Sequence, residues 1–326
     1  MSSSQNKAPQ FSYHMPSFSF PGVPAEGTFD HLVELTRAAE SAGFDLVTVM
    51  DHFYQIRGVG PETEPMLEAY STLSGLAALT SRVQLGTLVT GVTYRNPALV
   101  AKMVTTLDVI SKGRAILGIG AAWNHDEHTG YGFEFPPVGE RMDRLDEALT
   151  IARLMFTEER PSFTGRFYRL DRALNRPRPI QPGGPRILVG GGGEKRTLRL
   201  AARHADMTHW FISSIDEFKH KAQVLEQHCQ AEGRDPSSIV RWIGVPLVLV
   251  RDAEEAREMV ARIPAERLAT APPTLPDQAA EILRRYMDAG AQGFTFRNAN
   301  LATPALLAAA GEVKRMLGSA VAETTP

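Results

Sequence analysis

The stretch VQLGTLVTGVTYRNPALVAKMVTTLDVISKGRAILGIGAAWN, Val83 to Asn124, decides the fold. Val83, Leu85, Thr87 and Val89 favour extended backbone, and Ala115 to Ile119 is a short apolar run bounded by glycines. Between them Asn96 is placed to cap a helix and Pro97 suits its first turn. Leu99, Val100, Met103, Val104, Leu107 and Ile110 recur at the spacing of one buried face before Gly113 ends the helix. A strand, a crossover helix and a second strand this close in sequence give parallel neighbours in one sheet. Thr90, Gly91, Val92 and Thr93 follow the first strand, and Gly120, Ala121, Ala122, Trp123 and Asn124 follow the second. Small residues at a strand's carboxyl end let a flat ligand approach the backbone.

The same alternation extends in both directions. Phe11 to Met15 reads as a first strand ending near His14, followed by a helix over about Asp30 to Ala42 with Leu32, Leu35, Ala39 and Ala42 on one face. Leu46 to Met50 is the second strand and empties into Asp51, His52 and Phe53, with a helix near Leu67 to Leu79 before the central unit. Beyond Asn124 the polar segment His125 to Gly139 reads as a loop, and Met142, Leu145, Leu149, Ala152 and Met155 mark a long helix. Ser162 to Leu170 predicts a hairpin turning at Thr164 and Gly165, and the proline-rich run Pro177 to Pro185 returns the chain to the main body. Strands follow at Arg186 to Val189, Met207 to Phe211, within Ile239 to Val250, and at Gly293 to Phe296. A helix is expected from about Glu194, and an irregular linker from Pro264 to Pro276.

Eight strands alternating with helices predict a (β/α)8 TIM barrel over residues 11–318, with insertions after strand 4 (the hairpin and loop at about 160–185) and before strand 8. A doubly wound sheet is the rival arrangement. Residues 1–10 and 319–326 are expected to be tails, the first of them disordered. In a barrel every strand end faces one rim, so His14, Asp51, His52, Thr90, Asn124, the glycine run Gly190 to Gly193 and Trp210 would share a pocket.

Composition narrows the chemistry. Of 326 residues, 43% are hydrophobic, and 35 Lys plus Arg against 37 Asp plus Glu leave a net charge of −2, which provides no basic footprint for nucleic acid or an anionic membrane. A small soluble molecule is the expected partner. No apolar run is long enough to cross a bilayer, and the single cysteine, Cys229, fits a reducing cytoplasm.

Gly190 to Gly193 can aim backbone N–H groups at a phosphate, with the following helix and Lys195 adding positive potential; a flexible strand-to-helix turn is the plain alternative. Gly118-Ile119-Gly120 lacks the third glycine of a dinucleotide fingerprint, and its expected job is to thin the barrel wall beside a ring system. Asp51 beside His52 offers a carboxylate that could orient an imidazole for proton transfer. His125, Glu127 and His128 match no metal-ligand pattern, so no metal is expected. Trp123 and Trp210 are either pocket wall or core. No lysine ends a strand, which counts against a Schiff-base aldolase, and the first strand carries no His-x-His for a metal-dependent amidohydrolase.

Several motifs taken together resemble a known family: MDHF (Met50 to Phe53), LGTLVTGVTYRNP (Leu85 to Pro97), GRAILGIGAAWN (Gly113 to Asn124), GFEFPPVGERMDRLDEAL (Gly132 to Leu149) and FTGRFYRL (Phe163 to Leu170). They resemble the bacterial-luciferase-like superfamily of barrel oxidoreductases, and within it the subgroup that uses the deazaflavin coenzyme F420. The resemblance implies that Asp51 and His52 lie against the cofactor, His52 moving a proton. It implies a non-proline cis peptide at Leu88-Val89 behind the ring, Thr90, Asn124 and Glu127 near it, and Gly190, Gly191, Gly192, Gly193 and Lys195 at its phosphate. His14, Trp123, Glu127 and Trp210 would line the substrate side. Ala121-Ala122 stands where many relatives carry a glycine before the tryptophan. The expected function is hydride transfer between F420 and a small organic substrate in a cytoplasmic homodimer. The alternatives are an FMN-dependent monooxygenase and a binding protein without catalysis.

Overall fold

Eight parallel strands close into a ring in the computed structural model, which describes residues 8–244, 247–262, 272–296, 301 and 303–323. They are β1 (Gln10–Met15), β2 (Leu46–Val49), β3 (Gln84–Thr87, resumed at Thr90–Gly91), β4 (Ala115–Gly120), β5 (Arg186–Gly190), β6 (Met207–Phe211), β7 (Val240–Gly244) and β8 (Gly293–Phe296). Each pairs with the next in sequence, and β8 pairs with β1 at Ser12 and Thr295 to complete the barrel. Helices α1 (Thr28–Ser41), α2 (Ala69–Leu79) and α3 (Pro97–Ser111) cover the first half, and α6 (Thr197–His204), α7 (Ile215–Ala231), α9 (Pro276–Asp288) and α10 (Pro304–Glu323) the second. The fold is the TIM barrel that the alternating strands and helices predict, and the doubly wound alternative is set aside.

Between β4 and β5 come a short helix α4 (His125–Tyr131), the long barrel helix α5 (Val138–Thr157), which packs beside α3, and the inserted antiparallel pair Phe163–Thr164 with Arg169–Leu170. The Glu147 carboxylate of α5 accepts the amides of Arg166, Phe167 and Tyr168, fastening the hairpin turn to the barrel. Before β8 lie α8 (Ala253–Arg262) and a parallel pair, Val248–Leu249 with Pro273–Thr274. The expected irregular linker is therefore ordered at its end, while residues 263–271 lie outside the described residues, as do 1–7 of the expected N-terminal tail. The expected C-terminal tail begins too early, because α10 continues through residue 319 to Glu323.

The sequence explains the central crossover closely. Asn96 accepts the Ala98 amide as N-cap, Pro97 occupies the first turn, and the helix ends where Lys112 (φ 58°) and Gly113 (φ 88°) turn left-handed. One part of its apolar stripe is misassigned: Leu99 is 53% exposed and Ile110 38%, so only Val100, Val104 and Leu107 of that set are fully buried. The helix is apolar on more than its barrel face.

Inside the ring, side chains stack in layers. Leu46, Ile116, Leu188, Met207 and Trp242 form an apolar plug, packed by Leu88, Val89 and Val240. Below it Arg186 donates to Gln84 at 3.1 Å. Above it the lining turns polar: His14 Nδ1 meets Thr48 Oγ1 at 3.0 Å and His209 Nε2 meets Thr295 Oγ1 at 3.0 Å. The polar layer sits at the carboxyl ends of the strands, where barrels carry their sites.

Candidate active site

At the end of β3 the chain steps inward. The Leu88-Val89 peptide is cis, as the resemblance implies, and both side chains are half-buried over the plug. Glycines make this step possible. A Cβ on Gly120 would lie 2.9 Å from Val89 Cγ2, one on Gly190 2.7 Å from Val89 Cγ1, and one on Gly118 only 1.9 Å from the Thr87 carbonyl oxygen. Gly118 and Gly120 thus yield space to the protein's own backbone and to Val89, rather than to a ligand. Val89 therefore sits between the ends of β4 and β5, over the apolar plug.

His52, just past β2, is held by a residue distant in sequence. Its Nδ1 is 2.7 Å from Glu127 Oε2. The same Oε2 accepts the Tyr94 hydroxyl at 2.8 Å, while Oε1 accepts the amides of Phe53 and of Tyr54, the latter at 3.0 Å. Glu127 is wholly buried and carries four hydrogen bonds, so it supports His52 instead of lining the substrate side. Burial would raise its carboxyl, but the bond from His52 and those from Tyr54 and Tyr94 outweigh it and hold the group below the ordinary carboxylate range. Burial and the Glu127 charge push the Tyr94 hydroxyl up, so it stays a donor.

Asp51, the expected partner of His52, points elsewhere. Its carboxylate is gripped by both terminal nitrogens of Arg95, at 2.7 and 3.0 Å, and Arg95 also donates to Glu68 at 2.7 Å. Glu68 in turn caps α2 through the amides of Tyr70 and Ser71. Burial raises the Asp51 carboxyl and Arg95 opposes that rise. Asp51 is only 2% exposed and both its oxygens are engaged by Arg95, so it does not hydrogen-bond His52 as the orienting carboxylate.

Asn124 is the N-cap of α4, accepting the Asp126 amide. That helix replaces the expected loop and is what carries Glu127 inward. His128, on the next position, is buried with its Nε2 on Thr93 Oγ1 and its Nδ1 on the Asn124 carbonyl, both at 2.6 Å. Ahead of them Ala122 adopts φ 61°, a left-handed conformation that glycine takes freely and alanine does not. Trp123 follows, 59% exposed, its ring edge-on to His52 with centroids 5.5 Å apart.

Three further expectations change. Trp210 is fully buried and packs on Phe218 of α7, because in β6 the residues that face the barrel are Met207, His209 and Phe211 while Thr208 and Trp210 alternate outward. Thr90 is buried with its hydroxyl between Tyr70 and Thr87, at 2.7 and 2.9 Å, and presents nothing to a ligand. The helix after the glycine run starts at Thr197, and Lys195 is exposed on the turn before it. The cation that does meet the run is Lys221 of α7, donating to the Gly192 carbonyl at 3.0 Å with its stem packed where a Gly192 Cβ would stand. Gly191 (φ 113°) donates to the His209 carbonyl and the Gly193 carbonyl accepts from Leu198. His14 lies in the polar layer with Thr48.

Tyr94, Arg95, His209 and Lys221 join these hydrogen-bond networks without being candidates from sequence; only Tyr94 and Arg95 fall within a motif, LGTLVTGVTYRNP. Among the described residues, no three His, Cys, Asp or Glu side chains gather as a metal would require, and no helix is long and apolar enough to cross a membrane.

Comparison with known proteins assigns the chain to a family. The luciferase-like monooxygenase family model matches residues 10–320. The chain is 31% identical over 298 residues to F420-dependent glucose-6-phosphate dehydrogenase of Nocardia farcinica, covering 81% of this chain and 87% of that one. The same-named enzyme of Kineococcus radiotolerans is 35% identical over 232 residues, 70% of this chain and 66% of its own. An F420-dependent secondary alcohol dehydrogenase structure superposes with a TM-score of 0.75 at 20% identity, over 94% of this chain and 98% of that one. EDTA monooxygenase from Chelativorans sp. BNC1 superposes at 0.81 and 15% identity, over 96% and 94%. These last two likenesses concern the barrel itself. The chain belongs to the luciferase-like monooxygenase family and is an oxidoreductase.

Proposed function

We propose that the protein is an F420-dependent oxidoreductase that moves a hydride between the deazaflavin and a small organic substrate, with His52 handling the accompanying proton. The observation that carries the reading is the His52–Glu127 pair at the mouth of a barrel whose wall is stepped inward at Leu88-Val89. The names of the curated relatives favour F420 over FMN. The residues present suit such a cofactor. The half-buried Leu88 and Val89 offer an apolar surface for a flat ring, and the half-buried Asn124, which caps α4, is the proposed polar contact at its edge. Gly190 to Gly193, backed by Lys221, suit the phosphate.

When bound, the deazaflavin supplies hydride chemistry without ready activation of oxygen. The chain supplies the rest. Glu127 keeps His52 oriented, Arg95 and Asp51 brace the backbone that carries it, and Trp123 covers its edge. FMN with molecular oxygen is the alternative, and it would use the same glycine loop. A binding protein without catalysis is the third reading, and the intact His52–Glu127 pair speaks against it. A second copy of the chain is the proposed cover for the apolar residues exposed on α2 and α3, Leu79, Leu99 and Ile110.

Titration of the purified protein with F420 and with FMN, followed by anaerobic mixing with secondary alcohols and with carbonyl compounds, tests the proposal. The expected result is saturable F420 binding and loss or gain of its absorbance with substrate. Tight FMN binding with substrate-dependent oxygen consumption, and no response to F420, would overturn it.

A further inference from the structure

We infer that Glu127 is a positioning residue that fixes which nitrogen of His52 carries the resting proton, leaving Nε2 as the atom that accepts a proton from substrate. This goes beyond the cofactor assignment. Its catalytic consequence rests on the proposed function, whereas the proton placement itself does not.

Counting the donors around one carboxylate decides the tautomer. Oε1 faces the backbone amides of Phe53 and Tyr54, and a backbone N–H can only donate. Oε2 faces the Tyr94 hydroxyl and His52 Nδ1. An ionised carboxylate can only accept, so Nδ1 must carry hydrogen, and a neutral imidazole then has its lone pair on Nε2. Glu127 is wholly buried, so bulk solvent does not reach its carboxylate.

The proton balance is simple in either direction. If a substrate alcohol were oxidised, its O–H bond would break and the proton would pass to Nε2, the bound oxidised deazaflavin being the group that would take the hydride from its carbinol carbon. His52 becomes an imidazolium whose charge the buried Glu127 carboxylate offsets. Carbonyl reduction returns the same proton from Nε2.

A single-atom change inverts this arrangement. In Glu127→Gln the amide oxygen has to face the two backbone amides, since turning the NH2 toward them would leave buried donors unmatched at about 1–3 kcal/mol each. The NH2 group then takes the place of Oε2 and donates to Nδ1. His52 must carry its proton on Nε2, where it can no longer accept one. The Tyr94 hydroxyl rotates to become an acceptor, so the packing is unchanged.

The test is long-range proton–nitrogen NMR of 15N-histidine-labelled protein at about pH 8, above the ordinary histidine range, with His52→Gln identifying the resonance. Wild type and Tyr94→Phe are expected to show hydrogen on Nδ1, and Glu127→Gln hydrogen on Nε2. With cofactor loaded, kcat of Glu127→Gln should fall about 10²- to 10⁴-fold, the range of a misplaced acid–base group, while F420 affinity stays within about twofold. Hydrogen on Nε2 in wild type, or the same tautomer in both proteins, would overturn the inference, and the wild-type spectrum decides even if the variant fails to fold. Should the protein not react with F420 at all, the proposed function falls while the spectra still decide the tautomer.

Discussion

Replacing Gly190 by alanine pushes a methyl group into Val89. The new Cβ would stand 2.7 Å from Val89 Cγ1 and 3.0 Å from Cγ2, where carbon contacts ordinarily settle at about 3.5–4.0 Å. Roughly 1 Å has to be found between two wall segments that strand register holds in place. Overpacking of this kind costs about 1–3 kcal/mol. Val89→Ala has the opposite fault: it removes two half-buried methyl groups, at about 0.8 kcal/mol each when fully buried, plus the cavity left behind. Combined, the methyl group introduced at position 190 fills part of the space that Val89 vacates. The double variant is therefore expected to be less destabilised than the sum of the singles by about 1–2 kcal/mol, well beyond the scatter of independent sites. Urea unfolding of the four proteins, at a common m-value, measures the coupling. Additivity within about 0.5 kcal/mol would refute the claim that Gly190 is glycine to make room for Val89.

Two further outcomes follow from the charged groups. Arg95→Met leaves the Asp51 carboxylate buried without its partner and should lose about 3–5 kcal/mol, most of it recovered by adding Asp51→Asn; equal losses in the single and double variants in thermal or urea unfolding would contradict the brace. Stability should also decline on acidification, in two stages. Burial holds the His128 imidazole below its ordinary value, so below about pH 6.5 the unfolded chain takes up a proton that the fold refuses. Against their own burial, Glu127 is lowered by His52, and Glu40 by the amides of Arg82, Val83 and Ser81. Such carboxyls stabilise above their ordinary values and lose that contribution as pH falls below about 4.5. Asp51, raised by burial, acts with the opposite sign. Unfolding midpoints that stay level from about pH 7 to about pH 4 would show that these shifts do not govern stability.

The barrel was readable because its pattern is local. Each strand and helix announces itself within about ten residues, and Asn96-Pro97 marks a helix start that the structure reproduces. The site was readable only where it sits at a strand end: His52, Val89 and Gly190 could be placed by counting strands. Side-chain direction was harder. In MTHWF (Met207 to Phe211) the first four residues are buried whichever face they take, so alternation alone does not say that His209 faces in and Trp210 out. The partner of His52 was out of reach for a different reason. Adjacent Asp51 looked like the orienting carboxylate, yet neighbours on an extended chain point apart, and the actual partner stands 75 positions later on a seven-residue polar helix read as a loop. Likewise Lys195, next to the glycines in sequence, lies exposed, while Lys221 reaches them from another helix.

The apolar plug of Leu46, Ile116, Leu188, Met207 and Trp242, topped by Leu88 and Val89, has a kinetic consequence. It makes the barrel a cul-de-sac: a molecule seated on Val89 has no exit through the base. Were two reactants to share that dead end with one seated beneath the other, binding would be ordered, the deeper arriving first and departing last.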